Sequence, residues 1–223
     1  IADLEIHAWM SRVDPEPDAL DKPISAAGSR EQARDSIVNY PDYMIFDLDP
    51  YIYSGKEKKG AEPEFNRKGW EKTVAVALDL KELLDQLKLS SFVKTTGKTG
   101  LHIYTPIVRD YTYDDVREFT RIIGLQLRST RPQDITMEWD TSKRTGKVFY
   151  DHNQNTFGKQ LAAQYSLRPT PWAGVSVPVL WSELPRVDPI ELDISNVPGR
   201  LAAKGDPWAD ILQHKNDLSA LVG

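Results

Sequence analysis

From Tyr43 onward the chain switches between two hydrophobic periods, and the switches mark out its elements. In MIFDLDP (44–50), Met44, Phe46 and Leu48 fall on one side while Ile45, Asp47 and Asp49 fall on the other. That period of two predicts a half-buried strand ending in a turn at Asp49-Pro50. A polar connection follows over 51–68. Trp70, Val74, Ala77, Leu78, Leu84 and Leu87 then recur at helical spacing and predict an amphipathic helix from Lys68 to Leu87. In SFVKTTGKTGLHIYTPI (91–107), two β-rich runs flank GKTG, the signature of a hairpin. A second helix, with Val116, Phe119, Ile123 and Leu127 on one side, is predicted from Tyr113 to Leu127, and Thr112 and Asp115 have capping-box spacing at its start. DITMEWD (134–140) and KVFYDHN (147–153) read as strands joined by the basic turn TSKRTG. Residues 11–42 read as loop with a short helix over Ser29–Val38, and the tail from Pro169 as loops with one late helix near Trp208–His214.

The order β-α-β-β-α-β-β predicts an α+β fold with mixed or antiparallel sheets flanked by helices, in one domain spanning residues 1–223. The GKTG hairpin excludes a purely parallel sheet, which needs a crossover between every strand pair.

Composition changes this picture little. Apolar residues make up 40% and charged residues 27%, the balance of a folded globular chain. No apolar run approaches the ~18 residues of a spanning helix, and no secretion signal is visible, so the cytoplasm is the expected compartment. The absence of cysteine rules out disulfides and thiolate zinc sites. Ile1 is not an initiator methionine, which suggests a start inside a longer chain. The net charge of −5 argues mildly against a nucleic-acid partner, but it averages over an asymmetry. Residues 1–50 hold 11 acids against 4 bases, whereas 141–168 hold 5 bases against Asp151 alone. A local basic patch binds phosphates even on an acidic chain, because screening confines the field to about 10 Å.

Four segments could carry chemistry. Asp47 and Asp49 project from one face of a strand, about 7 Å apart along the backbone, a spacing at which carboxylates converge on one or two hard cations. The plain alternative is a strand end opening a turn. In TTGKTGLH (95–102) the backbone of a glycine-containing turn is a candidate anion nest. Thr96, Gly97 and Lys98 lie in it and His102 on the strand that leaves it; an ordinary hairpin is the alternative. It is not a Walker A loop, since the spacing differs and a strand follows. In TSKRTGKVFYDHNQN (141–155), Lys143, Arg144 and Lys147 gather near Gly146 while Phe149, Asp151 and Asn153 alternate onto one face. In EIHAWMSR (5–12), His7 alternates with apolar Ile6 and Ala8. No zinc spacing exists among the four histidines and no G-x-S-x-G elbow is present.

In this order, IFDLDP, KTTGKTGLHIY, KRTGKVFYDHNQN and QYSLRP resemble the polymerase domain of bacterial-type DNA ligase D. That domain belongs to the archaeo-eukaryotic primase superfamily, marked by D-x-D, an [ST]-G-x-x-G-x-H turn and a later aspartate. EIHAW, AGVSVPVLWSEL (173–184) and VPGRLAAKGDPWAD extend the resemblance over essentially the whole chain. It implies a primase-like catalytic core and a metal-dependent nucleotidyltransferase that adds nucleotides to DNA 3′ ends, filling gaps or extending ends in non-homologous end joining. It further implies that Asp47, Asp49 and Asp151 are catalytic and hold two Mn²⁺ or Mg²⁺ ions. Thr96, Gly97, Lys98, His102 and Arg168 would receive the triphosphate of an NTP or dNTP, His7 would lie near the sugar, and Arg144 and Gln154 beside the metals.

DNA ends, a ligase module and Ku are the implied partners, with no membrane. Thr99 departs from the family, where a lysine often precedes the second glycine of the turn. A further departure is that the family's segment ahead of EIHAW, which supplies the pocket for a DNA 5′-phosphate, is absent. Two alternatives share these residues: a stand-alone primase-polymerase, and a catalytically silent DNA-end binding module. A dehalogenase-type phosphatase is disfavoured by Pro50 and the lack of its other motifs.

Overall fold

The computed structural model describes residues 5–12, 36–58 and 61–221. The predicted helix over Ser29–Val38 falls largely outside them; what is described there is a short 3₁₀ turn, Ile37–Asn39. The strands are β1 (His7–Ala8), β2 (Tyr43–Pro50), β3 (Phe92–Thr95), β4 (Leu101–Pro106), β5 (Ile135–Thr136), β6 (Val148–Asp151), β7 (Leu161–Ala162) and β8 (Pro178–Val179). The α-helices are α1 (Arg67–Gln86), α2 (Tyr113–Thr130) and α3 (Val197–Lys204). Six strands form one mixed sheet in the order β5-β6-β2-β4-β3-β8; β5 and β6 are parallel and every other pair is antiparallel. β1 and β7 make a separate two-stranded ribbon.

The alternation along β2 sorts the interior. Met44, Phe46 and Leu48 join the main core with Val74, Ala77 and Leu80 of α1 and Val116, Ile123 and Leu127 of α2. Ile45, on the opposite side, packs in a second cluster with Tyr104, Tyr113 and Trp208. Both long helices start on side-chain caps. Asn66 accepts from Gly69 N–H at 2.8 Å, and Thr112 and Asp115 close the predicted capping box. On α1 the buried stripe runs through Val76 and Leu80 rather than Leu78, which is 36% exposed.

The runs 134–140 and 147–153 are not a hairpin. β5 is two residues long and lies parallel to β6; just beyond it, the carbonyls of Glu138 and Trp139 accept from the Arg144 guanidinium at 2.8 and 2.6 Å. The late helix expected near Trp208–His214 is only a 3₁₀ turn, Ile211–Gln213. The α-helix of the tail is α3, hidden in the sequence by Pro198, which a first turn tolerates because its missing N–H has no helical partner there.

β6 pairs with β2 only from Asp47 to Pro50, so Ile45 has lost its neighbour on that side. Asn155 replaces it: Ile45 N–H donates to Asn155 Oδ1 at 2.9 Å, and Asn155 Nδ2 donates to Ile45 O at 2.7 Å. This fully buried amide continues the ladder past the end of β6 and holds β2 flat up to its acidic end. Asn155→Ala strands a buried donor and a buried acceptor, each costing about 1–3 kcal/mol. A loss of about 2–4 kcal/mol in urea unfolding is expected.

A candidate active site across the central strands

Register places one transverse row of polar side chains on a single face of the sheet. Asp151 of β6 is opposite Asp47 of β2, Asp47 is opposite His102 of β4, and His102 is opposite Lys94 of β3. Directly opposed residues have Cβ atoms about 4.5–5.5 Å apart. Asp49 lies two residues further along β2 on the same face. A cleft opens over Asp47 and His102 of this row, lined also by His7, Asp49, Thr96, Lys98, Gln154 and Arg168, while Asp151 and Lys94, at the two ends of the row, stand outside its lining. Segments separated by as much as 160 residues along the chain therefore meet at one place.

The acidic side is crowded. Asp47 and Asp151 are 4% and 7% exposed, and Asp47 Oδ1 has no hydrogen-bond partner. Its other oxygen accepts from Gln154 Nε2 at 3.1 Å. Burial, and then the Asp151 carboxylate, push the Asp47 carboxyl up to about 7. Asp49 is raised by burial and by Asp47, Asp151 and Glu62, against an opposing pull from Arg144; Asp151 is raised mainly by burial. Like charges in a poorly solvated row cannot all ionise without compensation. His102 does not supply it. Its Nε2 lies 3.3 Å from Asp47 Oδ1, but burial, Lys94 and Arg168 hold the imidazole well below its usual range, so it is neutral.

Among the described residues no three His, Cys, Asp or Glu side chains form a ready-made metal cage. The donor set still suits a hard cation. It offers oxygen ligands only, with one orphaned carboxylate oxygen and a proton affinity raised by mutual repulsion. Mg²⁺-type sites take one or two carboxylates and complete the shell with water and substrate phosphates.

Facing the acids is a cationic wall. The turn between β3 and β4 brings in Lys98, and Arg168 donates to Thr96 O at 3.2 Å. Gly97, at φ +75°, allows this approach: a Cβ there would come within 2.6 Å of Arg168 Cγ. Gly100 is equally constrained, since a Cβ would fall 2.3 Å from Leu48 O and 2.9 Å from Asp49 Oδ1. The anion nest expected from the turn's backbone is only partly available. Lys98 N–H and Gly100 N–H both turn inward to Thr96 Oγ1, at 3.2 and 3.1 Å. The positive character of this wall therefore comes from side chains. At its outer edge Glu5 Oε1 sits 2.7 Å from Arg168 Nε and 3.2 Å from His7 Nε2. Burial raises the Glu5 carboxyl, but His7, Arg168 and Lys98 outweigh this and hold it below its usual value.

Arg144 is not part of the cleft lining. Its guanidinium is packed over Phe149, 3.4 Å from the ring centroid, beside Tyr51 and Trp139, and it donates to the Tyr51 hydroxyl at 2.8 Å. It acts on the acids only through its field. The sequence reading passed over Glu5, Glu62, Lys94 and Asn155. Lys94 carried a signal, a lysine inside the β-rich run FVKT; Glu62 lies in a polar connection that gives none.

Three comparisons place the chain. The family model described as LigD, primase-polymerase domain, matches residues 1–208. The multifunctional non-homologous end joining protein LigD of Pseudomonas aeruginosa is 31% identical over 185 residues, covering 82% of this chain and 20% of that protein. The bifunctional LigD of Bacillus subtilis is 28% identical over 82% of this chain and 28% of its own length. The chain thus spans only a fifth to just over a quarter of these relatives. Among solved structures, the polymerase domain of Mycobacterium tuberculosis ligase D in complex with DNA superposes with a TM-score of 0.71 at 26% identity. That match covers 96% of this chain and 64% of the other. With the family model spanning nearly its whole length, and the acids and the cationic wall meeting in one cleft, the chain belongs to the LigD primase-polymerase domain family.

Proposed function

We propose that this chain is a metal-dependent nucleotidyltransferase that adds nucleotides to DNA 3′ ends, filling gaps or extending broken ends during non-homologous end joining, and that it works as a single catalytic unit. The observation that carries the reading is that Asp47, Asp49 and His102 face Lys98 and Arg168 across one cleft, with Asp151 held directly opposite Asp47 by strand register. Three repelling carboxyls opposite two cations form a site split between a cation and a polyanion, which is what a metal–triphosphate complex presents.

In this reading Asp47, Asp49 and Asp151 hold Mn²⁺ or Mg²⁺. Such ions, when bound, lower the pKa of an attacking hydroxyl and neutralise a leaving pyrophosphate. The protein's own groups do the positioning. Lys98 and Arg168 receive the triphosphate, Arg168 as a planar fork suited to two phosphate oxygens. Neutral His102 and the hydroxyl of Thr96 add donors on the same side. Gln154 holds Asp47 through its 3.1 Å bond to one carboxylate oxygen, leaving Oδ1 without a hydrogen-bond partner, 3.3 Å from His102 Nε2. His7, on the ribbon above, faces the sugar end of the nucleotide. Arg144 keeps the acid row from over-protonating while it braces the 138–144 loop.

The relatives are non-homologous end joining proteins, and the structural match is a polymerase domain in complex with DNA. A neighbouring ligase module, Ku and a cytoplasmic setting complete the proposal. No described helix is long and apolar enough to cross a membrane.

Incubation with Mn²⁺, a labelled nucleoside triphosphate and gapped DNA should give 3′ extension. Failure both of this chain and of a version extended upstream would sink the proposal. Asp47→Asn should cut extension by about a thousandfold, equivalent to about 4 kcal/mol of transition-state stabilisation. It should not lower the thermal midpoint of the metal-free protein at pH 7.5, since it also removes a like-charge repulsion.

The pH dependence follows from the raised carboxyls. Asp47 binds its proton up to about 7 in the fold and only to about 3.8 in the unfolded chain. The metal-free fold therefore holds more protons between those values and loses stability as pH rises through that window. Metal must displace the same protons, so Mn²⁺ affinity measured by calorimetry should climb from pH 5.5 to 7.5, by about tenfold per unit for each proton released.

A further inference from the structure

Lys94 is the end member of the transverse row, and the catalytic reading uses it only through its field on His102. It is wholly buried. It does not line the cleft, although its neighbours across and along the sheet, His102 and Thr96, do. It donates to Ala162 O at 2.8 Å and to the Ser176 hydroxyl, which in turn donates to Thr95 O at 2.9 Å.

Ala162 belongs to the ribbon over the cleft, and Ser176 to the arm that runs beside β3 and leads into the turn bearing Arg168. Ala162 is the β7 residue paired in register with His7 of β1, and Ala163 N–H donates to Ile6 O at 2.8 Å. Ser176 lies on the return arm of the turn that presents Arg168: Ser176 N–H donates to Ser166 O at 2.9 Å, and Arg168 N–H to Gly174 O at 2.8 Å. The ribbon has only two short strands, and a two-stranded ribbon is not stable by itself. Something must fix its height above the sheet, and Lys94 ties it, through Ala162 O, to the arm beside β3. Burial, and then Arg168, push the Lys94 amine down to about 7. What an apolar side chain of similar volume would lack is therefore this pair of directed hydrogen bonds, a job that packing does not do.

We infer that Lys94 is a positioning residue: by hydrogen-bonding Ala162 and Ser176 it sets His7 and Arg168 at the distance from the acid row that a nucleoside triphosphate requires. The inference rests on the polymerase reading, in which His7 and Arg168 contact the nucleotide.

The test is nucleotide binding without turnover, with ATP and Mn²⁺ titrated calorimetrically in the absence of DNA. Lys94→Met keeps the volume and removes both hydrogen bonds. It should weaken ATP binding about tenfold while leaving Mn²⁺ affinity, measured alone, within about twofold. His7→Ala should also weaken ATP binding. If Lys94 acts through the ribbon, the double variant should be little weaker than the worse single one, because the two residues serve one contact. Unchanged ATP affinity in a folded Lys94→Met protein, or full additivity with His7→Ala, overturns the inference. So does a change confined to Mn²⁺ affinity, which would make Lys94 an electrostatic partner of Asp47. Should Lys94→Met fail to fold, Ser176→Ala decides. It keeps the ammonium and one anchor, and should weaken ATP binding about threefold; no change overturns the inference. Wild-type protein that binds no ATP with Mn²⁺ would sink the polymerase reading along with it. Wild-type binding matched by both variants sinks only the role of Lys94.

Discussion

Asp47 is wedged between an acid and a neutral histidine, and the rest of the site depends on that placement. Its strand is hydrogen-bonded on both sides, so Asp151 and His102 are held opposite it by backbone register rather than by side-chain choice. No rotamer change can separate two carboxylates carried on adjacent strands by more than a few ångströms. The fold therefore holds an electrostatic conflict, tolerated because the apolar half of β2 is locked into the main core through Met44, Phe46 and Leu48. That burial is worth roughly 1.5–3 kcal/mol per side chain, enough to keep the strand in place while its polar half stays unsatisfied.

The conflict explains the shape of what surrounds it. A cation is needed close to the acids, yet Arg144 is spent on the carbonyls of Glu138 and Trp139 and on the Tyr51 hydroxyl. Lys98 and Arg168 stand on the far side of the cleft. The protein supplies compensation next to the acids only as a distant field, and so the row keeps its appetite for a bound cation. The cationic wall is in the converse state, with Glu5 lying against Arg168 and His7. Both halves of the cleft thus present charge that a metal–phosphate ligand neutralises from both directions at once.

How much of this was legible in the sequence follows from the range of each interaction. Period two in β2, the capping box of α2 and the hairpin at GKTG are local, and they stand in the structure as read. The ordered motifs are legible because each is itself a short strand or turn, and the fold brings most of their polar residues to one cleft. The parallel seating of β5 on β6 could not be read, since the β-propensity of the run suggested a longer ladder, and the two carbonyls just beyond β5 accept from Arg144 instead. Leu78 on α1 looked like part of the buried stripe because the helical period is wide enough to admit it; only the position of the sheet excludes it. Asn155 escaped because an asparagine replacing a missing strand has no signature beyond the place where the neighbouring strand stops.

The roof of the cleft shows why buried polar groups deserve a physical account even when they touch no ligand. A two-residue ribbon has few contacts of its own, and its height above the sheet must come from a bond that is long, directional and insensitive to small changes in packing. A lysine meets those needs. Its buried amine needs acceptors and finds them on Ala162 of the ribbon and Ser176 of the arm beside β3. A hydrophobic contact would hold the segments together without specifying their separation, because apolar packing has no preferred direction. In the proposed reading nucleotide binding depends on separation, since a triphosphate would have to reach the cationic wall and the acid row together. The distance between those two surfaces is set by β3, the strand that carries Lys94 toward the roof and, three residues further on, opens into the turn of Gly97 and Lys98.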